Sequence, residues 1–186
     1  ISIHHTDVYA TPWGDARKAF YDPIFLGYPS YYYDGLFDAW PISTFVSNFV
    51  ARQQVPTDVT IQLWADQLSG ETFDVSVEVC VEPGGTGKTM RVHVVQSLAT
   101  YPTSRAYNRN TVMQGLDGVD ITVTADACQT VVQTITFDPA SWALADQIQL
   151  TAWAQDPATV APAEVHQAKQ VLWPFTHPDV VFVDGF

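Results

Sequence analysis

Basic residues are scarce in this chain: 8 Lys and Arg stand against 20 Asp and Glu, a formal net charge of −12 over 186 residues. Such a surface repels phosphate backbones and anionic headgroups, so nucleic acid and acidic membrane surfaces are disfavoured as partners. Long apolar runs are missing too. No stretch approaches the roughly 18 consecutive apolar residues of a spanning helix, and no transmembrane segment is expected. There is no internal repeat and no low-complexity segment. The chain opens ISIHH, without initiator Met, basic n-region or apolar h-region. Ile1 is therefore expected to be a processed terminus or an internal start, because ISI reads as a strand already inside a fold.

Cysteine is equally sparse. Cys80 and Cys128 are the only two, too far apart for a C-x-x-C redox pair or half of a zinc site of ordinary spacing. Each falls on the otherwise polar face of a strand, which favours a disulfide between them. Closing a loop of about 48 residues stabilises by at most about 4 kcal/mol on the chain-entropy model, and implies an oxidising compartment.

What is present is core material, with 47% hydrophobic and 13% aromatic residues. Residues 1–54 differ in texture from the rest. Residues 1–5 read as a short strand. Thr11-Pro12 is a helix start, cap followed by first-turn proline, with Trp13, Ala16 and Phe20 at helical spacing. Residues 27–35, GYPSYYYDG, read as a strand entered through Tyr28-Pro29 and left through an Asp-Gly turn. Pro41 opens a second helix in which Ile42, Phe45, Val46, Phe49 and Val50 form one apolar stripe. From Val55-Pro56 the period changes to two. Phe73, Val75, Val77, Val79 and Val81 alternate with Thr72, Asp74, Ser76, Glu78 and Cys80, the clearest half-buried strand. Further strands are predicted around Val59–Leu63, Met90–Val94, Val119–Val123, Val131–Phe137, Ile148–Ala154 and Val165–Val171. Six or seven strands with turns between them describe a two-sheet sandwich. Residues 100–110 are predicted as the longest loop, and residues 174–186 as a tail running over the surface.

In order, residues 1–5, 11–21, 27–35 and 41–54 resemble the second half of a thioredoxin fold, with Pro29 as the candidate cis-proline. HHTDVYATPWGDARKAFY followed by GYPSYYYDG is similar to the corresponding stretch of a family of bacterial outer-membrane proteins and lipoproteins. That family joins a thioredoxin-like domain to a C-terminal immunoglobulin-like domain. The closing VVFVDGF is similar to a segment near the end of some bacterial secreted proteins. The resemblance implies an α+β chain: a partial thioredoxin-like segment over 1–54, a mainly antiparallel immunoglobulin-like β-sandwich over 55–173, and a tail over 174–186. The strand and helix that carry C-x-x-C in a thioredoxin have no counterpart here, so no catalytic cysteine carries over.

Other constellations point away from catalysis. GGTGKT at 84–89 lacks the first glycine of a phosphate loop, where Glu82 stands, and follows a strand that feeds a hairpin rather than a helix. His4 and His5 could offer imidazole to a metal with Asp7, but neighbours on a strand point to opposite faces. No G-x-S-x-G elbow is present. Asp117 with Asp120, and Asp34 with Asp38, are carboxylate pairs too sparse in oxygen for a calcium loop. Tyr31, Tyr33 and Trp40 belong to the densest aromatic cluster, and Arg105, Tyr107 and Arg109 to an arginine-bearing loop; these are the candidate binding residues.

The expectation is a non-enzymatic bacterial protein, secreted, periplasmic or at the cell surface. It would need no cofactor and would dock as an accessory subunit on a protein partner in a larger assembly. The alternatives are a thiol-disulfide oxidoreductase whose C-x-x-C segment lies upstream of Ile1, and a carbohydrate-binding module using the tyrosines.

Overall fold

A computed structural model of the chain describes residues 3–4, 9–25, 27, 32–38, 44–103 and 107–175. Helix α1 (Pro12–Tyr21) comes first, then a small hairpin of β1 (Tyr32–Tyr33) and β2 (Phe37–Asp38), then helix α2 (Phe45–Arg52). Strands β3 (Val59–Ser69), β4 (Thr72–Val81), β5 (Lys88–Pro102), β6 (Tyr107–Gly115), β7 (Val119–Val123) and β8 (Ala127–Thr136) follow. A single helical turn, α3 (Pro139–Trp142), precedes β9 (Ile148–Gln155) and β10 (Val165–Leu172). Strands β3-β4-β8 make one sheet, and β10-β9-β5-β6 make the other, with β7 also paired to β5. All these pairings are antiparallel. The chain is thus mostly antiparallel β-sheet with a few helices.

Alternation sets the layers. In β4, Phe73, Val75, Val77, Val79 and Val81 are at most 2% exposed, while Thr72, Asp74, Glu78 and Cys80 turn outward. Met90, Val92, Val94 and Leu98 of β5, with Ile148, Leu150, Ala152 and Ala154 of β9, meet them from the opposite sheet. Each fully buried Val, Leu or Phe removes enough apolar surface from water to contribute about 1.5–3 kcal/mol. One end of this core is aromatic. The ring centroid of Phe137 lies 5.3 Å from Phe73, 6.1 Å from Trp142 and 5.9 Å from Phe175. Asp138 caps α3 by accepting from the Ala140 and Ser141 amides, which presents Trp142 to that cluster.

The five-stranded sheet is covered on both faces. Its outer side carries a second cluster of Val95, Val112 and Trp153, packed with Ile3, Trp13 and Val165. Almost every residue of β9 is consequently buried, the pattern of a strand enclosed from two sides. Helix α1 lies on this outer face. The Thr11 hydroxyl caps it by accepting from Gly14 N at 3.0 Å. Trp13 rests on Gly115, where a Cβ would stand 2.5 Å from the indole ring.

The Asp-Gly turn forms as the sequence predicts: Asp34 and Gly35 take φ of 48° and 72°, and Leu36 N donates to Tyr33 O. Phe20, Asp34 and Gly35 are stitched to the stretch that leads into β10, with Ala161 N donating to Phe20 O, Ala163 N to Gly35 O and Val165 N to Asp34 O.

Several expectations need correcting. Residues 107–110, predicted as loop, open β6, because β5 runs on to Pro102 and pairs with it, Thr100 opposite Arg109. Of the predicted tail, residues 176–186 lie outside the described residues, and its start is packed. Phe175 is 4% exposed, its carbonyl accepts from Ala65 N, and Trp173 packs beside it. Within 27–35 only Tyr32–Tyr33 is strand among the described residues, and residues 3–4 are not strand. Pro29 lies outside the described residues; the cis X-Pro bonds among them are Ala161-Pro162 and Trp173-Pro174.

Gln96 is an exception to the apolar interior. It lies opposite Leu150 on the core-facing side of β5, fully buried, and neither its Oε1 nor its Nε2 has a hydrogen-bond partner. An unmet buried amide costs about 1–3 kcal/mol. Gln96→Met is expected to raise the urea midpoint by the equivalent of about 1 kcal/mol. A fall instead would mean that the amide holds an internal water.

Candidate functional site

The two cysteines stand directly opposite each other in the β4–β8 register. They form a disulfide with Cα atoms 4.0 Å apart. The bond lies on the outer face of the three-stranded sheet, with Cys128 exposed and Cys80 half-buried. It therefore ties two paired strands of one sheet rather than joining the two sheets. Glu78 lies close to both sulfurs, the one grouping of metal-ligand type among the described residues; its cysteines are committed to the disulfide.

The glycine-rich segment is a turn between β4 and β5. Thr86 N donates to Asp58 Oδ2 at 2.9 Å, and the Lys88 ammonium reaches the same carboxylate at 2.8 Å. The Lys88 hydrogen bond, followed by the Thr86 amide, holds the Asp58 carboxyl down at about 2. The lysine thus pairs with an aspartate of its own chain. One member of each carboxylate pair is likewise held by an arginine. Asp120 takes a two-pronged hydrogen bond from Arg91, at 2.6 and 2.9 Å, and Asp34 takes Arg52 at 2.6 Å.

The aromatic cluster is only partly open. Tyr33 is 8% exposed, so it serves packing rather than an accessible face. Tyr32, half-buried, stacks on Tyr21 at 4.0 Å with planes 9° apart. Tyr31 and Trp40 lie outside the described residues, as do Arg105 and His5. Tyr107 opens β6, and Arg109 is exposed on that strand. His4 packs edge-on against Tyr9 at 5.3 Å. Of the candidate binding residues, Tyr33, Tyr107 and Arg109 thus fall among the described ones.

Two regions outside the candidate binding residues are better formed. The first is the apolar side of α2. Val46, Phe49 and Val50 are 69, 48 and 50% exposed, and Val55 just beyond is 44% exposed. Three members of the stripe read from the sequence, Val46, Phe49 and Val50, therefore face solvent; Ile42 lies outside the described residues. Arg52 anchors the far end of α2 to Asp34 and, at 3.7 Å, to Glu164. An open cleft of about 550 Å³ beneath it is lined by charges already paired: Arg52 with Asp34, Lys88 with Asp58.

The second is centred on Arg17, on the inner side of α1. At 7% exposure it is among the most buried charges described. Its Nη2 donates to Tyr21 Oη at 3.0 Å and to Gln155 Oε1 at 2.6 Å. Trp13, Ala16, Arg17, Phe20 and Tyr21 occupy one helical stripe, so an arginine inside an apolar stripe was the available signal.

No protein-family profile matches this chain. No curated protein sequence matches it either. Solved structures do. HBP35 of Porphyromonas gingivalis overlays with a TM-score of 0.72 at 12% identity. A structural-genomics target from Agrobacterium tumefaciens gives a TM-score of 0.59 at 13% identity, covering 95% of this chain and 78% of that one. A domain of the outer membrane lipoprotein Omp28 from Porphyromonas gingivalis overlaps more loosely, with a TM-score of 0.45 at 18% identity, over 64% of this chain and 91% of its own. At these identities the likeness is one of fold. The HBP35 match takes in 96% of this chain but 64% of HBP35, so the chain spans a little less than two thirds of that protein's length.

Proposed function

We propose that this chain is a non-enzymatic accessory protein working outside the bacterial cytoplasm, docked through the apolar side of α2 onto a protein surface of a larger assembly. The observation that carries this reading is the exposure of Val46, Phe49, Val50 and Val55 on one helix and its exit. Apolar side chains grouped in this way usually mark a contact surface rather than a solvated one. The solvent-facing disulfide supports an oxidising compartment, and the fold-level likeness to HBP35 is compatible with a bacterial surface protein. We read residues 1–54 as a thioredoxin-related segment on the order helix, Asp-Gly hairpin, helix. We read 55–173 as an immunoglobulin-like sandwich, although its disulfide sits within one sheet.

A photo-crosslinking side chain at position 49, in the native host, is expected to give one discrete adduct. The same group at Thr130, exposed on β8, is expected to give none. Val46→Glu with Val50→Glu should abolish the adduct while leaving the fold intact, since both side chains already face water. A chain that stays monomeric and uncrosslinked in its native envelope would overturn the reading.

A further inference from the structure

Between α1 and the outer face of β5 lies a pocket of about 260 Å³. Trp13, Ala16, Phe20, Leu116 and Ala158 supply apolar walls, and Arg17, Arg91 and His93 supply polar groups. Gly118 keeps the floor clear, for a Cβ there would meet Arg91 Cδ at 2.7 Å and His93 Cε1 at 2.9 Å. Arg91 is committed to Asp120. Among the described residues, Arg17 has no carboxylate partner. Its guanidinium lies 4.3 Å from the Phe20 ring centroid, 4.8 Å from Tyr21 and 5.5 Å from Trp153, and both its hydrogen bonds leave from Nη2 to neutral oxygens. Ring faces offset part of the cost of burying a cation, but an ion without a counter-charge stays expensive. His93 adds a second unmet group. It stacks on Trp153 at 5.0 Å, and its buried Nδ1 has no hydrogen-bond partner. Burial first, then the charges of Arg17 and Arg91, push its pKa down to about 3, so it is neutral at pH 7. One carboxylate, Asp117, lines the pocket from an exposed position, where water screens it.

We propose that this pocket binds a small organic monocarboxylate, its apolar body against Trp13 and Phe20 and its carboxylate facing Arg17. The volume suits a ligand the size of a single aromatic ring with one acid group. A planar guanidinium with donors to spare is the side chain best shaped for such an anion. The inference is independent of the docking surface on α2.

Sodium benzoate is the probe, titrated into the full chain by calorimetry and by NMR at the Trp153 indole N–H. Benzyl alcohol, which has the same ring and no charge, serves as the comparison. Saturable one-to-one binding of benzoate is expected, with benzyl alcohol and Arg17→Met each weaker by roughly tenfold or more. Arg17→Lys should recover part of the loss. Ala158→Trp, which obstructs the mouth without touching Arg17, should also block binding and covers the case in which Arg17→Met does not fold. Absence of benzoate binding to the wild type would overturn the proposal. So would equal affinity for benzyl alcohol, or binding undiminished in Ala158→Trp.

Discussion

Phe137→Ala is expected to lower the unfolding free energy by about 3–5 kcal/mol, the largest loss from any one side chain discussed. The ring is 1% exposed and lies between parts of the chain distant in sequence: Phe73 from β4, Trp142 from α3 and Phe175 from the tail. Truncation removes its own transfer free energy and leaves a cavity walled by rings. Rings collapse into a void poorly, because their planes cannot tilt without losing contacts elsewhere. The effect should spread to the tail, since the Phe175 carbonyl accepts from Ala65 N and its ring packs on Phe137. Urea unfolding gives the free energy, and protease sensitivity after Trp173 reports the release. A loss under about 1 kcal/mol would mean that the cluster closes over the gap, and the aromatic end would not be the anchor described.

Removing the disulfide by Cys80→Ala with Cys128→Ala is expected to cost about 2–4 kcal/mol. The reason differs in kind. The bond sits on the outside of its sheet with Cys128 exposed, so no core cavity opens and the folded shape should hardly alter. The loss comes from the unfolded chain, which regains the freedom of a loop with a sequence separation of 48. Near-UV circular dichroism should therefore be unchanged while the urea midpoint falls, and dithiothreitol should reproduce the fall in the unmutated protein. A drop below about 1 kcal/mol would show that β4 and β8 stay associated in the denatured state.

How far the sequence could be read depended on whether each signal was local. Strand β4 and the Thr11-Pro12 start of α1 were legible, since a two-residue period and a capping pair are written in adjacent residues. The disulfide was legible because both cysteines broke the polarity of strand faces. In β9 only the inner face, Ile148 to Ala154, was recognised. Trp153 and Gln155 are buried by α1, and Gln155 meets an arginine 138 residues away, which no local window reveals. The same distance hid the pocket. The first four residues of β6, Tyr-Asn-Arg-Asn, read as turn chemistry, whereas their pairing with the long β5 decides the matter. Val46, Phe49 and Val50 lie on the apolar side of α2 that the period predicts, but a hydrophobic period cannot say whether the chain itself or something else covers it.

The disulfide also closes a large loop of the chain. Joining the end of β4 to the start of β8 makes a covalent ring that contains all of β5, β6 and β7. A peptide bond cut in any connection inside that ring leaves both new ends on a single molecule. The fragments remain linked through sulfur and can pair again in the same register. Proteolytic damage to the hairpins of this region is therefore survivable as long as the surroundings stay oxidising. A reductant turns the same nick into the loss of a piece of the protein.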